Sequence, residues 1–200
     1  MISFPTTTFP EIQGKIIGVF DYEANGLLDT VTKAHCGVIG NPVTGVRKMF
    51  SPATVDNMHV ELDSFEVLVG QNIIGYDLPM LKKLYGWEPK PDVIILDTLW
   101  MSRMYNPDLK GGHSLDNWGS LLGNPKISYS PPGDDWNNYD NNMLVYCDQD
   151  VGVNVDMFNR LLGLLQNFTW KSIICEMVTA RIIQRQMETG FCFDYKAAEK

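Results

Sequence analysis

After a Thr/Pro-rich leader (FPTTTFP), residues 16–20 are almost wholly apolar, and the chain then turns acidic at Asp21 and Glu23. An unbroken apolar run of that length reads as a central strand buried on both faces, with carboxylates at its end. Two further β-like segments, 32–39 and 45–50, are separated by the turn signal Gly40-Asn41-Pro42, so the first three strands are expected to form an antiparallel meander. Residues 66–69 read as a short strand, 78–85 as a helix stopped at Gly86, and 92–96 as another strand. Residues 124–142 (NPKISYSPPGDDWNNYDNN) favour turns over regular structure and predict a long loop. Beyond it, 143–165 and 170–188 carry apolar residues at helical intervals, and no internal repeat is visible. In the second of these helices Ile173, Met177, Ala180, Ile183 and Met187 share one side, expected to form an open apolar patch.

Composition narrows the class. With 200 residues, 44% hydrophobic and 20% charged, the chain can bury one sizeable core and is neither disordered nor collagen-like. No apolar run approaches the roughly 18–20 residues of a spanning helix, and Met1 opens no secretory signal, so a cytoplasmic protein with no membrane partner is expected. Cys36, Cys147, Cys175 and Cys192 are scattered without a C-x-x-C pair, which implies neither a zinc site nor a disulfide framework. A net charge of −8 argues against a duplex-coating protein, yet it suits a nucleic-acid enzyme whose carboxylates hold divalent cations.

Three acidic clusters stand out. In Asp21-Tyr22-Glu23 the two-residue spacing puts both acids on one face of a strand, where they can converge on one ion; alone, the triplet reads first as a solvated strand end. Asn72-Ile73-Ile74-Gly75-Tyr76-Asp77 follows the short strand and opens the next helix, so Asp77 is an N-cap by default. The same loop lies at a strand's carboxyl end, where open α/β sheets place ligands. In Tyr146-Cys147-Asp148-Gln149-Asp150 the Tyr and the second Asp are four apart on one helix face, while Asp148 points elsewhere and is expected to be exposed.

The joint order D-x-E, N-x-x-x-Y-D, Y-x-x-x-D resembles the exonuclease motifs of the DEDD superfamily of 3′–5′ exonucleases, in its tyrosine subclass. Within it, the chain is most similar to the proofreading domain of family A DNA polymerases of short-tailed bacteriophages. Leu96-Asp97-Thr98-Leu99 and His113-Ser114-Leu115-Asp116-Asn117-Trp118-Gly119 add to a likeness spanning residues 14–194. It implies an α/β, ribonuclease H-like mixed five-stranded sheet flanked by helices. It also implies residues 1–170 as the exonuclease domain, with 171–200 as the start of a truncated polymerase portion. The abrupt stop suggests an excised editing domain, and the host cytoplasm would be its location.

The implied chemistry is two-metal hydrolysis of a phosphodiester by Mg²⁺ or Mn²⁺, releasing nucleotides from the 3′ end of single-stranded or frayed DNA. Carried over by motif, Asp21 would bridge both ions, Glu23 and Asp150 would complete the nucleophile-side site, and Asp77 would hold the second ion. Tyr146 would orient the attacking water. Asn72 would lie near the substrate backbone, or serve only as a turn former; Leu27 and Leu28 would wedge against the terminal base, unless they are core. His113 takes a structural or backbone-contact role, and Trp136 and Tyr139 either stack on bases or pack their loop. Without the rest of a polymerase, weak DNA binding and distributive cutting are expected. The competing readings are a stand-alone exoribonuclease of the same superfamily and a catalytically silent nucleic-acid-binding scaffold. A metal-free nucleotide-binding protein is disfavoured, because no glycine-rich phosphate loop follows a strand.

Overall fold

A computed structural model describes residues 9–190 and 192–199; most of the leader lies outside them. Strands β1 (Ile17–Ala24), β2 (Ala34–Gly40), β3 (Arg47–Phe50), β4 (Val67–Gly70) and β5 (Ile94–Asp97) form one sheet in the order β3-β2-β1-β4-β5. The meander is antiparallel, whereas β1 with β4 and β4 with β5 are parallel, as strand-helix-strand crossovers require. This is the mixed five-stranded sheet that the family resemblance implies.

The helices are α1 (Met58–Leu62), α2 (Asp77–Tyr85), α3 (Thr98–Tyr105), α4 (Leu115–Leu122), α5 (Asn141–Leu164), α6 (Trp170–Thr189) and α7 (Tyr195–Ala198). Helix α5 lies on β1 and β2 and is backed by α3 and α4, burying Met143, Cys147, Val151, Phe158 and Leu161. Among the described residues no helix is long and apolar enough to cross a membrane.

Several local expectations are corrected. Strand β1 does not end at Phe20: pairing with β2 continues to Ala24, so both acids sit inside the strand. Helices α3 and α4 were hidden because α3 follows β5 with no turn between them, and α4 occupies only eight residues. Side chains mark both starts: Asp97 accepts Leu99 N and Ser114 accepts Asn117 N. Asp148 is not exposed, since its carboxylate takes both Arg47 Nε at 2.6 Å and Nη2 at 2.9 Å. The supposed open stripe on α6 is half covered: Ile173, Met177 and Ala180 are buried where α6 packs on α3 and β5, while Ile183 and Met187 remain exposed.

Candidate active site

The site is made by a mismatch in strand length. Strand β4 pairs with β1 only as far as Val19, so β1 runs on past the carboxyl end of its parallel neighbour. Gly70 lets the chain turn there, because a Cβ would lie 2.8 Å from Phe20 O and 2.2 Å from Ile73 Cγ2. The loop that follows delivers Asp77, at the first turn of α2 rather than at its cap, and its Oδ1 accepts Tyr22 N at 3.3 Å. A side chain thus satisfies a strand N–H that β4 no longer reaches.

Asp21 and Glu23 face α5, with Cys147 Sγ within 4.8 Å of a carboxylate oxygen of each. Burial, then the Asp150 charge, pushes Asp21 up to about 7. Glu23 and Asp77 are raised well above the carboxylate range by burial and next by the charge of Asp21. Asp150 is raised by burial, against the opposing pull of Lys126. Asp21 thus acts on the charges of Glu23 and Asp77 and is acted on by that of Asp150, so four anions here would be costly without positive charge. Asp150 is 5% exposed and its Oδ1 has no hydrogen-bond partner among the described residues. Carboxylate oxygens around a vacant buried acceptor fit a hard divalent cation. Cys147 is a poor ligand: burial holds its thiol well above its ordinary value, and the S–H faces Asp21 O at 3.6 Å.

Tyr146 lies one turn before Asp150 on α5, and burial raises its phenol. Asn72 is exposed and takes a left-handed backbone (φ 58°), so its turn-forming role is real. Leu27 is 76% exposed and not core, whereas Leu28 packs against the core. Their loop is pinned by Tyr76 Oη on Gly26 O at 2.5 Å and by Lys83 Nζ on Leu28 O and Asp29 O, both at 2.8 Å. His113 lies 2.8 Å from Ser102 Oγ, and its carbonyl accepts Gln71 Nε2 at 2.7 Å. Trp136 and Tyr139 pack the long loop: His35 Nε2 donates to Trp136 O at 2.8 Å, and the Tyr139 ring sits beside His35.

Two polar residues were given no role by the sequence reasoning. Asp97 is fully buried and accepts Asn72 N, Ile74 N and Leu99 N, fixing the loop that leads to Asp77. Its signal was an acid ending an apolar strand just ahead of a helix. Lys126 lies in the long loop, yet its Nζ meets both Tyr146 Oη and Asp150 Oδ2 at 2.6 Å. It is the one basic residue of the 124–142 loop, but a lone lysine in a polar loop is ordinarily solvated and gives no hint of a partner.

No protein-family model matches the chain. The DNA-directed DNA polymerase of Escherichia phage T7 is 28% identical over a 239-position alignment covering 91% of this chain and 34% of the relative. The chain spans about a third of the length of the curated relatives it matches. Among solved structures, Brucella melitensis NrnC with bound Mg²⁺ superposes with TM-score 0.60 at 20% identity, covering 90% of this chain and 87% of that one. Escherichia coli RNase D, an exoribonuclease, superposes with TM-score 0.63 at 12% identity, covering 87% and 46%. The chain shares its ribonuclease H-like fold with NrnC and RNase D, and its sequence likeness lies with the DNA polymerases of phages T7 and T3.

Proposed function

We propose that the chain is a metal-dependent 3′–5′ exonuclease that releases nucleotides from the 3′ end of single-stranded or frayed DNA, as the editing part of a phage-type DNA polymerase. The observation that carries this reading is the clustering of Asp21 and Glu23 around Cys147 on the helix that also holds Tyr146 and Asp150, with Asp77 bonded to the intervening Tyr22 N–H and a buried Asp150 oxygen left unpartnered among the described residues. Likeness to the T7 polymerase over nearly the whole chain favours DNA as substrate.

Asp21, Glu23 and Asp150 would hold an ion on the nucleophile side, and Asp77 a second, either Mg²⁺ or Mn²⁺. Bound there, such ions supply a low-pKa water and charge neutralisation at the leaving 3′-oxygen. Tyr146, raised above its ordinary value, stays a neutral phenol and orients the water instead of taking its proton. The pinned loop presents exposed Leu27 as a wedge for the terminal base, with Asn72 near the substrate backbone. Residues 1–170 make up the exonuclease unit and 171–200 begin the polymerase portion, with α6 as the join. The host cytoplasm is the expected location.

A second reading, an exoribonuclease, is favoured by the likeness of the fold to RNase D. The test is incubation of end-labelled single-stranded DNA and a matched RNA, with and without Mg²⁺. A Mg²⁺-dependent ladder shortening from the 3′ end of DNA supports the proposal; a ladder on RNA alone supports the second reading. No release from either overturns both.

A further inference from the structure

The long loop between α4 and α5 is held at its start by contacts that serve Lys126. Helix α4 ends at Gly123, and the chain folds back so closely that a Cβ on Gly119 would lie 2.6 Å from Asn124 O and 3.2 Å from Lys126 N. Asn124 Nδ2 donates to Asp156 Oδ2 at 2.8 Å, and Gln149 Nε2 donates to Asn124 Oδ1 at 2.8 Å and Pro125 O at 3.2 Å. These partners lie on α5 on either side of Asp150. The two residues before Lys126 are therefore clamped to the helix that carries Tyr146 and Asp150.

The ammonium itself sits at 2.6 Å from both Tyr146 Oη and Asp150 Oδ2 and 4.4 Å from the centroid of the Tyr146 ring, on a side chain only 19% exposed. An ammonium can only donate, so the Tyr146 oxygen accepts from it and the phenol O–H must point elsewhere. The same charge occupies one oxygen of Asp150 and leaves Oδ1 unpartnered. A divalent ion drawn to Asp150 must meet this resident cation.

We propose that Lys126 is a positioning residue that competes with the divalent ion for Asp150 and aligns the Tyr146 phenol. This rests on the reading of Asp150 and Tyr146 as parts of a metal-dependent nuclease site. Before an ion binds, Lys126 neutralises the carboxylate pocket; afterwards its remaining tie to Tyr146 keeps the phenol in line.

The test uses Lys126→Met, close in length and neutral, with Lys126→Arg as the charge-retaining partner. Mn²⁺ binding to DNA-free protein is read by electron paramagnetic resonance. Removal of a charge at contact distance should tighten binding by about 10-fold or more in Lys126→Met, and Lys126→Arg should bind as the unaltered protein does. On single-stranded DNA, Lys126→Met should lower kcat by up to about 10-fold through misalignment, with KM changed less than about 3-fold. Adding Tyr146→Phe to Lys126→Met should cause little further loss, because both act through one phenol. Unchanged or weaker Mn²⁺ binding in Lys126→Met, or additive losses in the double variant, would overturn the role of Lys126 alone. An unaltered protein that neither binds Mn²⁺ nor releases nucleotides would overturn the nuclease reading beneath it.

Discussion

The backbone N–H of Tyr22 donates to Asp77 Oδ1 across 3.3 Å, at the point where β1 has outrun its parallel neighbour. One carboxylate therefore ties the loop after β4 to the strand that carries Asp21 and Glu23, and in the proposed function it also holds an ion. Asparagine separates these roles, because its carbonyl oxygen can still accept from Tyr22. Asp77→Asn should fold normally and lose hydrolysis by about 100-fold or more. Asp77→Ala leaves a buried N–H unpaired and should be less stable than Asp77→Asn by about 1–2 kcal/mol. Urea denaturation of both without metal checks the order; equal stability would mean the hydrogen bond contributes nothing.

Asp97 should make stability depend on pH. Burial raises it to about 6 despite the backbone donors that favour its charged form, whereas an unfolded Asp titrates near roughly 3.9. Between these values the folded state binds more protons, so this group's contribution to unfolding free energy falls as pH rises from about 4 to about 6, at up to ~1.4 kcal/mol per pH unit. Asp97→Asn should remove that share of the slope. Its amide has a single acceptor oxygen for three N–H groups, so it should also cost about 1–3 kcal/mol at pH 7. Denaturation curves at pH 4, 5, 6 and 7 measure both, and an unchanged slope would exclude Asp97 as the titrating group.

Asp21→Ala with Glu23→Ala should abolish nucleotide release by several orders of magnitude, because the proposed ions lose their anchors. Metal-free stability should hold or rise, since burial and mutual repulsion already disfavour these charges. Tyr146→Phe should slow release by only about 10-fold, as expected for loss of an orienting hydroxyl. Single-turnover assays distinguish the two; equal losses would contradict the orienting role.

Leu27 offers a test of how the 3′ end is held. Its 76% exposure predicts that Leu27→Ala changes stability by no more than about 0.5 kcal/mol. If the side chain wedges against the terminal base, KM for single-stranded DNA should rise about 3- to 10-fold, in line with loss of one apolar contact. A net charge of −8 offers little grip on a duplex, so single strands should be cut before blunt ends, and distributively. Unchanged KM in the variant, or processive digestion of blunt duplex, would count against this picture.

Local chemistry determined much of this protein in advance. Short apolar or β-like segments bounded by turn residues placed the strands, and helical spacing over some twenty residues placed α5 and α6 within two residues of their ends, because each signal is carried by neighbours in sequence. The alternation of Asp21 and Glu23 on one strand face, and of Tyr146 and Asp150 on one helix face, is likewise a property of backbone period. Tertiary structure decided the rest. That β1 extends past β4, so that Asp77 reaches Tyr22, depends on pairing between strands some fifty residues apart. That Asp148 is taken by Arg47, and half of α6 by α3 and β5, follows from long-range packing that no local pattern encodes. Lys126 is the sharpest case: a lysine in a polar loop is ordinarily solvated. Only the fold of α4 back onto α5 clamps its loop beside Asp150 and turns a surface charge into a half-buried partner of the site.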